Sequence, residues 1–241
     1  MQTVLITGGS RGIGSAAVRL FAKRGWNVAF TYHTGASEAE LLLRELREFS
    51  CLSLSCDVSN AAEVKSAITE AQKQFGSIDV LVNNAGIAQQ KLFTDLTEDD
   101  WDRMFDINVK GMFHCCQAVL PAMIRAQSGR IVNLSSVWGE TGGSCEVHYS
   151  ASKAAVIGLT KALAKELGPS NICVNCVSPG VIATRMNAMH GENTLKELAD
   201  ETPLCRIGTP EEVAEAIYYL SSPASGFITG QVLGVNGGFF I

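Results

Sequence analysis

The sequence has few of the features that mark membrane, secreted or nucleic-acid-binding proteins. Only 6 of its 241 residues are proline, which argues against proline-rich linkers. No apolar run reaches the roughly 18 residues of a membrane-spanning helix, and no cationic, apolar leader precedes the first strand-like run. The net charge of -5 offers no excess of Lys and Arg to attract nucleic acid or anionic lipid. We therefore expect a cytoplasmic protein with neither kind of partner.

The 8 cysteines do not indicate a disulfide framework, because a chain of 241 residues can build a core without one. We expect reduced thiols. Cys173 and Cys176 have the spacing of metal ligands, but their segment, ICVNCVSP, alternates like a strand and would turn the two side chains to opposite faces. No metal site is predicted.

Strand-length apolar runs alternate with helix-length amphipathic stretches along the whole chain. The predicted strands are 3–7, 27–32, 51–56, 79–83, 130–135, 173–178 and 232–235. The predicted helices are 13–24, 39–49, 61–74, 101–127, 149–167 and 210–220. Since this alternation implies right-handed crossovers, we predict one α/β domain over 1–241, a doubly wound seven-stranded parallel sheet with helices on both faces. The segment 180–230, which has no predicted strand, is a candidate substrate lid.

A glycine-rich turn, TGGSRGIG, joins the first strand to the first helix. Its glycines Gly8, Gly12 and Gly14 allow the backbone to approach a ligand closely. The unpaired N–H groups and the partial positive charge of the following helix N-terminus stabilise an anion there. Because this turn lies at the first crossover of the sheet, it predicts a dinucleotide site in a Rossmann domain.

The residues after the second strand favour NADP over NAD. An acidic residue at that position would bond the adenosine 2′-hydroxyl and repel a 2′-phosphate. This chain has Tyr32, His33 and Thr34 there, and its first acid is Glu38. Arg11, within the glycine turn, can pair with a phosphate through charge-assisted hydrogen bonds.

Four further motifs follow in order along the chain. They are Asp57 with Val58 after the third strand, NNAG at 83–86, the set Asn108, Ser136, Tyr149 and Lys153, and PGVIAT at 179–184. With the glycine turn, they make the chain from Met1 to Ile241 resemble the short-chain dehydrogenase/reductase family. The resemblance implies an NADP-dependent oxidoreductase that acts on a carbonyl or alcohol.

The resemblance also implies the site residues. The catalytic residues are Asn108, Ser136, Tyr149 and Lys153. The NADP(H) contacts are Gly8, Ser10, Arg11, Gly12, Ile13, Gly14, Tyr32, Asp57, Val58, Asn84, Ala85, Gly86, Tyr149, Lys153, Pro179, Gly180, Ile182 and Thr184.

The residue types fit acid–base chemistry. Tyr149 and Lys153 are four residues apart in a helical pattern, so their side chains share one face. A tyrosine pKa of about 10 must fall by about 3 units for proton transfer near neutral pH, and a lysine ammonium and an oxidised nicotinamide both favour the phenolate. Ser136 would bond the same substrate oxygen. The family gives Lys153 a second role in holding the nicotinamide ribose and places Asn108 on a water chain that resupplies the proton.

Within the family, the pattern is most similar to the 3-oxoacyl-[acyl-carrier-protein] reductases of bacterial fatty-acid synthesis. The similarity is carried by YSASKAAVIGLTKALAKEL, RIGTPEEVA and FITGQVLGVNGG. Acyl carrier protein is then an expected partner. Two arginines of well-studied members are replaced here by Gln127 and Ser170, which weakens docking of an acidic carrier, although Arg125 and Arg130 lie nearby in sequence.

A second resemblance points to a different ketone. NNAGIAQQKLFTD and SSVWGETGGSCEVHYSASK are similar to a branch that reduces a 5-aminopentanone group on a lysine of elongation factor P. Glu140 and Glu146 lie between Ser136 and Tyr149, where an acid would attract an ammonium group. Trp138 is expected either to wall the substrate pocket or to pack internally.

Two further expectations concern assembly and turnover. Family members pack the long helices of 101–127 and 149–167 across a two-fold axis, which implies a homotetramer. A non-catalytic NADP-binding regulator is the alternative from another class of protein, because a fold does not fix a function.

Overall fold

The computed structural model of the protein describes residues 1–185 and 191–241. Its central element is a seven-stranded parallel sheet with strand order β3-β2-β1-β4-β5-β6-β7. The strands are β1 (Thr3–Ile6), β2 (Asn27–Tyr32), β3 (Cys51–Ser55), β4 (Val80–Asn83), β5 (Gly129–Leu134), β6 (Ile172–Pro179) and β7 (Val232–Val235). The predicted fold class is confirmed, and every predicted strand boundary agrees within one residue.

Helices cover both faces of the sheet. In the described part of the chain they are α1 (Gly12–Lys23), α2 (Ala36–Glu45), α3 (Ala61–Phe75), α4 (Glu98–Phe105), α5 (Gly111–Ala126), α6 (Trp138–Thr141), α7 (Val147–Leu167), α8 (Glu192–Glu201) and α9 (Pro210–Ser221). On one face, α1, α2 and α9 bury residues such as Phe21 and Ile217. On the other face, α3, α5 and α7 bury residues such as Ile68 and Val119. Coverage on both faces explains why the central strands are apolar without alternation.

The predicted helix 101–127 is divided in the structure. It begins earlier, at Glu98, because Thr97 and Asp100 form a capping box at its start. A π-helical turn, Asp106–Lys110, then separates α4 from α5. The hydrophobic periodicity does not reveal this turn, because a π turn adds a single residue and leaves the buried face of each flanking helix intact.

The remaining differences lie near the ends of helices. The helix predicted over 39–49 is α2, which begins three residues earlier, and α7 begins at Val147, so that Tyr149 lies in its first turn. The short helix α6 and the polar helix α8 were not predicted. Within 180–230, residues 186–190 lie outside the described residues, and the role of this segment as a lid stays a prediction.

Candidate active site

A cleft of about 1320 Å³ opens at the carboxyl ends of the strands, where the strand order reverses between β1 and β4. The chain leaves β1 toward one side of the sheet and β4 toward the other, so the connecting loops diverge and leave a crevice. Sites for a single small ligand typically measure about 300–1,000 Å³. The cleft therefore has room for a dinucleotide and a second molecule.

The glycine turn forms the floor of the cleft beside β1. Gly8 has left-handed backbone geometry with φ 65°. A Cβ at Gly14 would lie 2.2 Å from the carbonyl oxygen of Gly8, so only glycine lets α1 approach this turn. Gly12 and Ile13, in the first turn of α1, line the cleft, and within 1–185 and 191–241 no side chain caps this helix end. A helix N-terminus with free N–H groups beside a glycine turn fits a pyrophosphate.

The end of the cleft beside β2 is polar and basic. Arg11 donates from Nη2 to Thr34 Oγ1 at 3.0 Å, and both residues line the cleft with Gly35, which precedes α2. The nearby acid Glu38 lies 3.8 Å from a guanidinium nitrogen of Arg185. A guanidinium beside the N-terminus of α2 suits a phosphate group.

The NNAG segment fastens β4 to the glycine turn. Asn84 donates from Nδ2 to the carbonyl oxygens of Thr7 at 2.8 Å and Gly8 at 3.1 Å. The backbone N–H groups of Asn84 and Ala85 both donate to Thr7 Oγ1 at 3.0 Å. These bonds hold the two loops on either side of the crevice at a fixed separation.

Ser136, Tyr149 and Lys153 all line the cleft. Tyr149 and Lys153 are one turn apart on α7, and Ser136 follows β5. Lys153 Nζ donates to the carbonyl oxygen of Leu134 at 2.9 Å and lies 5.7 Å from the centre of the Tyr149 ring. Ser135 donates from Oγ to the carbonyl oxygen of Lys153 at 2.8 Å. This bond fixes the part of α7 that contains Lys153 against the end of β5.

Burial sets the protonation of this group in the protein alone. It raises the pKa of Tyr149 to about 12, opposed by a hydrogen bond with Ser136 and reinforced by the charge of Glu146. Burial also lowers the pKa of Lys153 to about 8. The fall in the tyrosine pKa is attributed in part to the oxidised nicotinamide, so it stays a prediction for the protein with its cofactor bound. Tyr149 is a proton donor in this state.

Asn108, the fourth residue of the predicted catalytic set, is fully buried in the π turn. Its Oδ1 accepts from the backbone N–H of Ile87 at 2.8 Å, and its Nδ2 donates to the carbonyl oxygen of Ile87 at 3.0 Å and to Ser152 Oγ at 3.1 Å. Asn108 does not line the cleft. Its contacts hold the loop after β4 against α7.

Of the two acids expected near Tyr149, only Glu146 lines the cleft. It is 9% exposed, its carboxylate has no hydrogen bond or ion pair within 1–185 and 191–241, and burial raises its pKa. Glu140 is exposed and accepts a hydrogen bond from Ser178 Oγ. The expectation that Glu140 flanks the approach to Tyr149 is wrong, because α6 turns its side chain toward β6.

Trp138 fulfils both interpretations given for it. Its side chain lines the cleft, and its ring packs edge-on against Phe239 with the ring centres 5.5 Å apart. The C-terminal residues of the chain thus support the wall of the substrate side.

The mouth of the cleft is acidic on the side of α4, a feature that sequence reasoning missed. Asp99, Asp102 and Asp106 line it together with one cation, Arg103. Asp106 is paired with Lys110 at 3.0 Å. Asp99 and Asp102 lie in α4, where acids near the N-terminus also interact favourably with the helix dipole. Their three-residue spacing, which places them on one face of α4, is the signal that would have found this rim.

The structure brings together nearly all the predicted cofactor contacts. Each of them lines the cleft except Gly14, which packs against the Gly8 carbonyl. Lining residues that were not predicted include His33, Thr34 and Arg185. Arg185 directly follows the predicted contact Thr184, and its charge was a usable signal.

The two positions considered for carrier docking are neighbours. The carbonyl oxygen of Gln127 accepts from Asn171 Nδ2 at 3.1 Å, and Asn171 directly follows Ser170. Both lie just before β5 and β6 begin, at the amino ends of these strands and away from the cleft. Arg130 is the second residue of β5, at the same end of the sheet.

The described residues contain no helix long and apolar enough to cross a membrane. Within the same part of the chain, no group of three or more His, Cys, Asp and Glu has the arrangement of a metal site. Cys173 and Cys176 are both buried in β6, and their thiols donate to different carbonyls, those of Gly226 and Val177.

A family model described as enoyl-(acyl carrier protein) reductase matches residues 8–240. The chain belongs to the short-chain dehydrogenase/reductase family. It is an oxidoreductase, and this family uses a nicotinamide cofactor.

Named relatives are similar over their whole length. A 3-oxoacyl-[acyl-carrier-protein] reductase of Staphylococcus aureus strain Mu50 is 40% identical over 242 residues, covering 100% of this chain and 98% of the relative. The 3-oxoacyl-[acyl-carrier-protein] reductase of Chlamydia muridarum is 41% identical over 240 residues, covering 98% of this chain and 96% of the relative. The crystal structure of the Brucella melitensis 3-oxoacyl-[acyl-carrier protein] reductase has a TM-score of 0.94 at 37% identity and covers 100% of this chain and 91% of that chain. The predicted family resemblance is confirmed.

Proposed function

We propose that the protein reduces a ketone to a secondary alcohol with NADPH, and that the ketone is a 3-oxoacyl thioester carried by acyl carrier protein. The observation that carries the proposal is one cleft that joins the glycine turn to Ser136, Tyr149 and Lys153. Relatives about two-fifths identical are named as reductases of that thioester.

Each residue of the trio has a distinct role in this proposal. NADPH, when bound, supplies the hydride. Tyr149, which keeps its proton because burial raises its pKa to about 12, donates that proton to the substrate oxygen. Ser136 accepts from the backbone N–H of Trp138 at 3.2 Å, so its own hydroxyl hydrogen can bond the same oxygen. Lys153 holds the ribose, and Asn108 fixes the loop beside it.

The preference for NADPH rests on charge at the β2 end of the cleft. Arg11 and the N-terminus of α2 lie together there, and no acid occurs between Tyr32 and Thr34. A 2′-phosphate would gain charge-assisted hydrogen bonds at this position. The cofactor contacts are those predicted from the sequence.

A second candidate substrate is a cationic ketone, such as the 5-aminopentanone group on elongation factor P. The specific observation that favours it is the carboxylate of Glu146, a mostly buried residue of the cleft wall, which has no hydrogen bond or ion pair among the described residues and whose charge acts on Tyr149. Burial disfavours the charged form of Glu146, so a cationic group in the substrate would stabilise its carboxylate. The acidic mouth, with Asp99 and Asp102, would also attract a cation and repel an acidic carrier.

The deciding experiment measures NADPH consumption with acetoacetyl thioester, free and carrier-bound, and with 5-aminopentanone-modified elongation factor P. We expect turnover of the thioester, faster on the carrier. Glu146→Gln should lower kcat/KM for the amino-ketone about five- to a hundredfold if the second candidate is the substrate. Glu140→Gln is the matched control, because Glu140 faces away from the cleft. NADPH binding without turnover of either ketone would instead support a regulator.

We propose a homotetramer as the assembled form. Trp101, Phe113 and Ile124 leave exposed apolar surface on α4 and α5. Light scattering of the purified chain tests this, and a stable, active monomer of about 26 kDa would count against it.

A further inference from the structure

The loop after β4 is joined to the start of α7 by hydrogen bonds that converge on Gln89. Gln89 Oε1 accepts from His148 Nε2 at 2.9 Å, and Gln89 Nε2 donates to Asp100 Oδ1 at 2.9 Å. Asp100 also pairs with Lys91 Nζ at 2.6 Å. The backbone N–H of Lys91 donates to the carbonyl oxygen of Cys145 at 2.8 Å. We call the side chains of Gln89, Lys91, Asp100 and His148 the clamp.

The clamp connects two walls of the cleft. On one side, Ile87 and Gln90 of the loop line the cleft. On the other side, Glu146 and Tyr149 line it from the first turn of α7, next to His148. The relative placement of substrate and proton donor therefore depends on how this loop and this helical turn are joined.

His148 is the buried end of the clamp. Its ring is fully buried, and Nδ1 has no hydrogen-bond partner among the described residues. Burial lowers the pKa of His148, so the ring is neutral and Nε2 carries the hydrogen that Gln89 accepts. An apolar side chain would avoid the unpaired nitrogen but would lack this directional bond.

We propose that Gln89 and His148 are positioning residues, which orient the first turn of α7 so that the Tyr149 hydroxyl meets the substrate oxygen. This inference rests on the proposed ketone reduction. The distance between reacting groups matters steeply, because a displacement of about 1 Å can lower a rate about a hundredfold. Lys91 and Asp100 hold Gln89 in the rotamer that faces His148.

The test compares four variants with each ketone that the wild type turns over. Gln89→Leu and His148→Leu remove the directional bond and keep similar volume, whereas His148→Gln retains an N–H donor. Thr160→Val is the matched control, because it breaks another buried hydrogen bond of α7, from Asn133 Nδ2 at 2.9 Å, three turns from Tyr149. Steady-state kinetics and thermal melting are measured for all of them.

We expect Gln89→Leu and His148→Leu to lower kcat at least about tenfold while KM for NADPH stays within about twofold. His148→Gln should recover most of the lost kcat, and Thr160→Val should lower the melting temperature with kcat unchanged. If His148→Leu does not fold, Gln89→Leu decides alone, because Gln89 is only half-buried. Leucine variants that keep kcat, or a folded His148→Gln that recovers nothing, would overturn the inference. Wild-type inactivity with every ketone would instead reject the proposed reaction.

Discussion

The two halves of the cleft are built by different means. The cofactor half is shaped by backbone: Gly8 supplies a left-handed turn, and Gly14 lets a helix approach a carbonyl oxygen. The substrate half is shaped by side chains such as Trp138, whose ring is held by Phe239 near the end of the chain. A backbone shape that only glycine permits can be predicted from the position of the glycine, whereas the orientation of a side chain cannot be predicted from its own position.

The two halves also differ in charge. The part of the cleft beside the glycine turn and β2 is lined by Arg11 and Arg185, with Asp57 as an acid, and the part beside α4 and α7 by Asp99, Asp102 and Glu146, with Arg103 as a cation. A phosphate and a cation would therefore be drawn to opposite ends of one cleft. In the proposed function, the same physical effect would orient the cofactor and favour a cationic substrate.

The largest expected effect removes the proton donor that joins the two halves. Tyr149→Phe keeps the ring but has no hydroxyl, and a positioned general acid contributes about 10²–10⁴-fold. We expect kcat to fall by about a thousandfold, while the Kd for NADPH stays within severalfold. Stopped-flow hydride transfer and fluorescence titration measure the two quantities. If Tyr149→Phe kept more than a tenth of the wild-type turnover, Tyr149 would not be the proton donor.

Charge at the cofactor end is tested by Arg11→Ala. A charge-assisted phosphate contact contributes about 1.5–3 kcal/mol, so kcat/KM with NADPH should fall about ten- to a hundredfold. With NADH it should change little, because that cofactor has no 2′-phosphate. Lys23→Ala, on the same helix but outside the cleft, serves as the control. A wild-type preference for NADH would contradict the assignment.

The buried lysine predicts a pH dependence of stability without cofactor. Burial lowers the pKa of Lys153 from 10.5 to about 8. Between these values the unfolded chain binds a proton that the folded chain has released, so stability rises with pH across this interval, by about 1–3 kcal/mol. Urea unfolding near pH 7.5 and 9.5 should show this gain in the wild type relative to Lys153→Met. If the free energy of unfolding changed equally with pH in both proteins, the pKa of Lys153 would not be lowered in the folded chain.

The smallest expected effect concerns the unpaired acid of the substrate half. Burial raises the pKa of Glu146, so its stabilising contribution is present below the ordinary pKa of glutamate and lost as pH rises through the folded value. Glu146→Gln should therefore be slightly more stable than wild type near pH 8, and the difference should disappear toward pH 4. Glu140→Gln is the control. A destabilised Glu146→Gln at pH 8 would mean that the carboxylate has a partner.

The sequence predicts what local spacing determines. The four-residue step from Tyr149 to Lys153 and the turn at Gly8 each lie within one element, so their geometry follows from the helix or turn that contains them. From the sequence, Glu140 and Glu146 are equivalent candidates for the cleft. Glu140 points elsewhere because it lies in α6, and a helix of four residues is too short to show a hydrophobic periodicity. The bond between Gln89 and His148 joins positions 59 residues apart, and nothing local to either residue indicates the other.

The π turn at Asp106–Lys110 supplies a local irregularity that a regular helix could not. A π turn takes up one extra residue while the helices on either side keep their directions, so deleting one residue there would leave α4 and α5 in place as one continuous helix. Asn108, which lies within the turn, would then lose its position opposite the backbone of Ile87 and the hydroxyl of Ser152. A more regular helix would thus release the loop after β4 from α7 while the sheet and the glycine turn kept their shape.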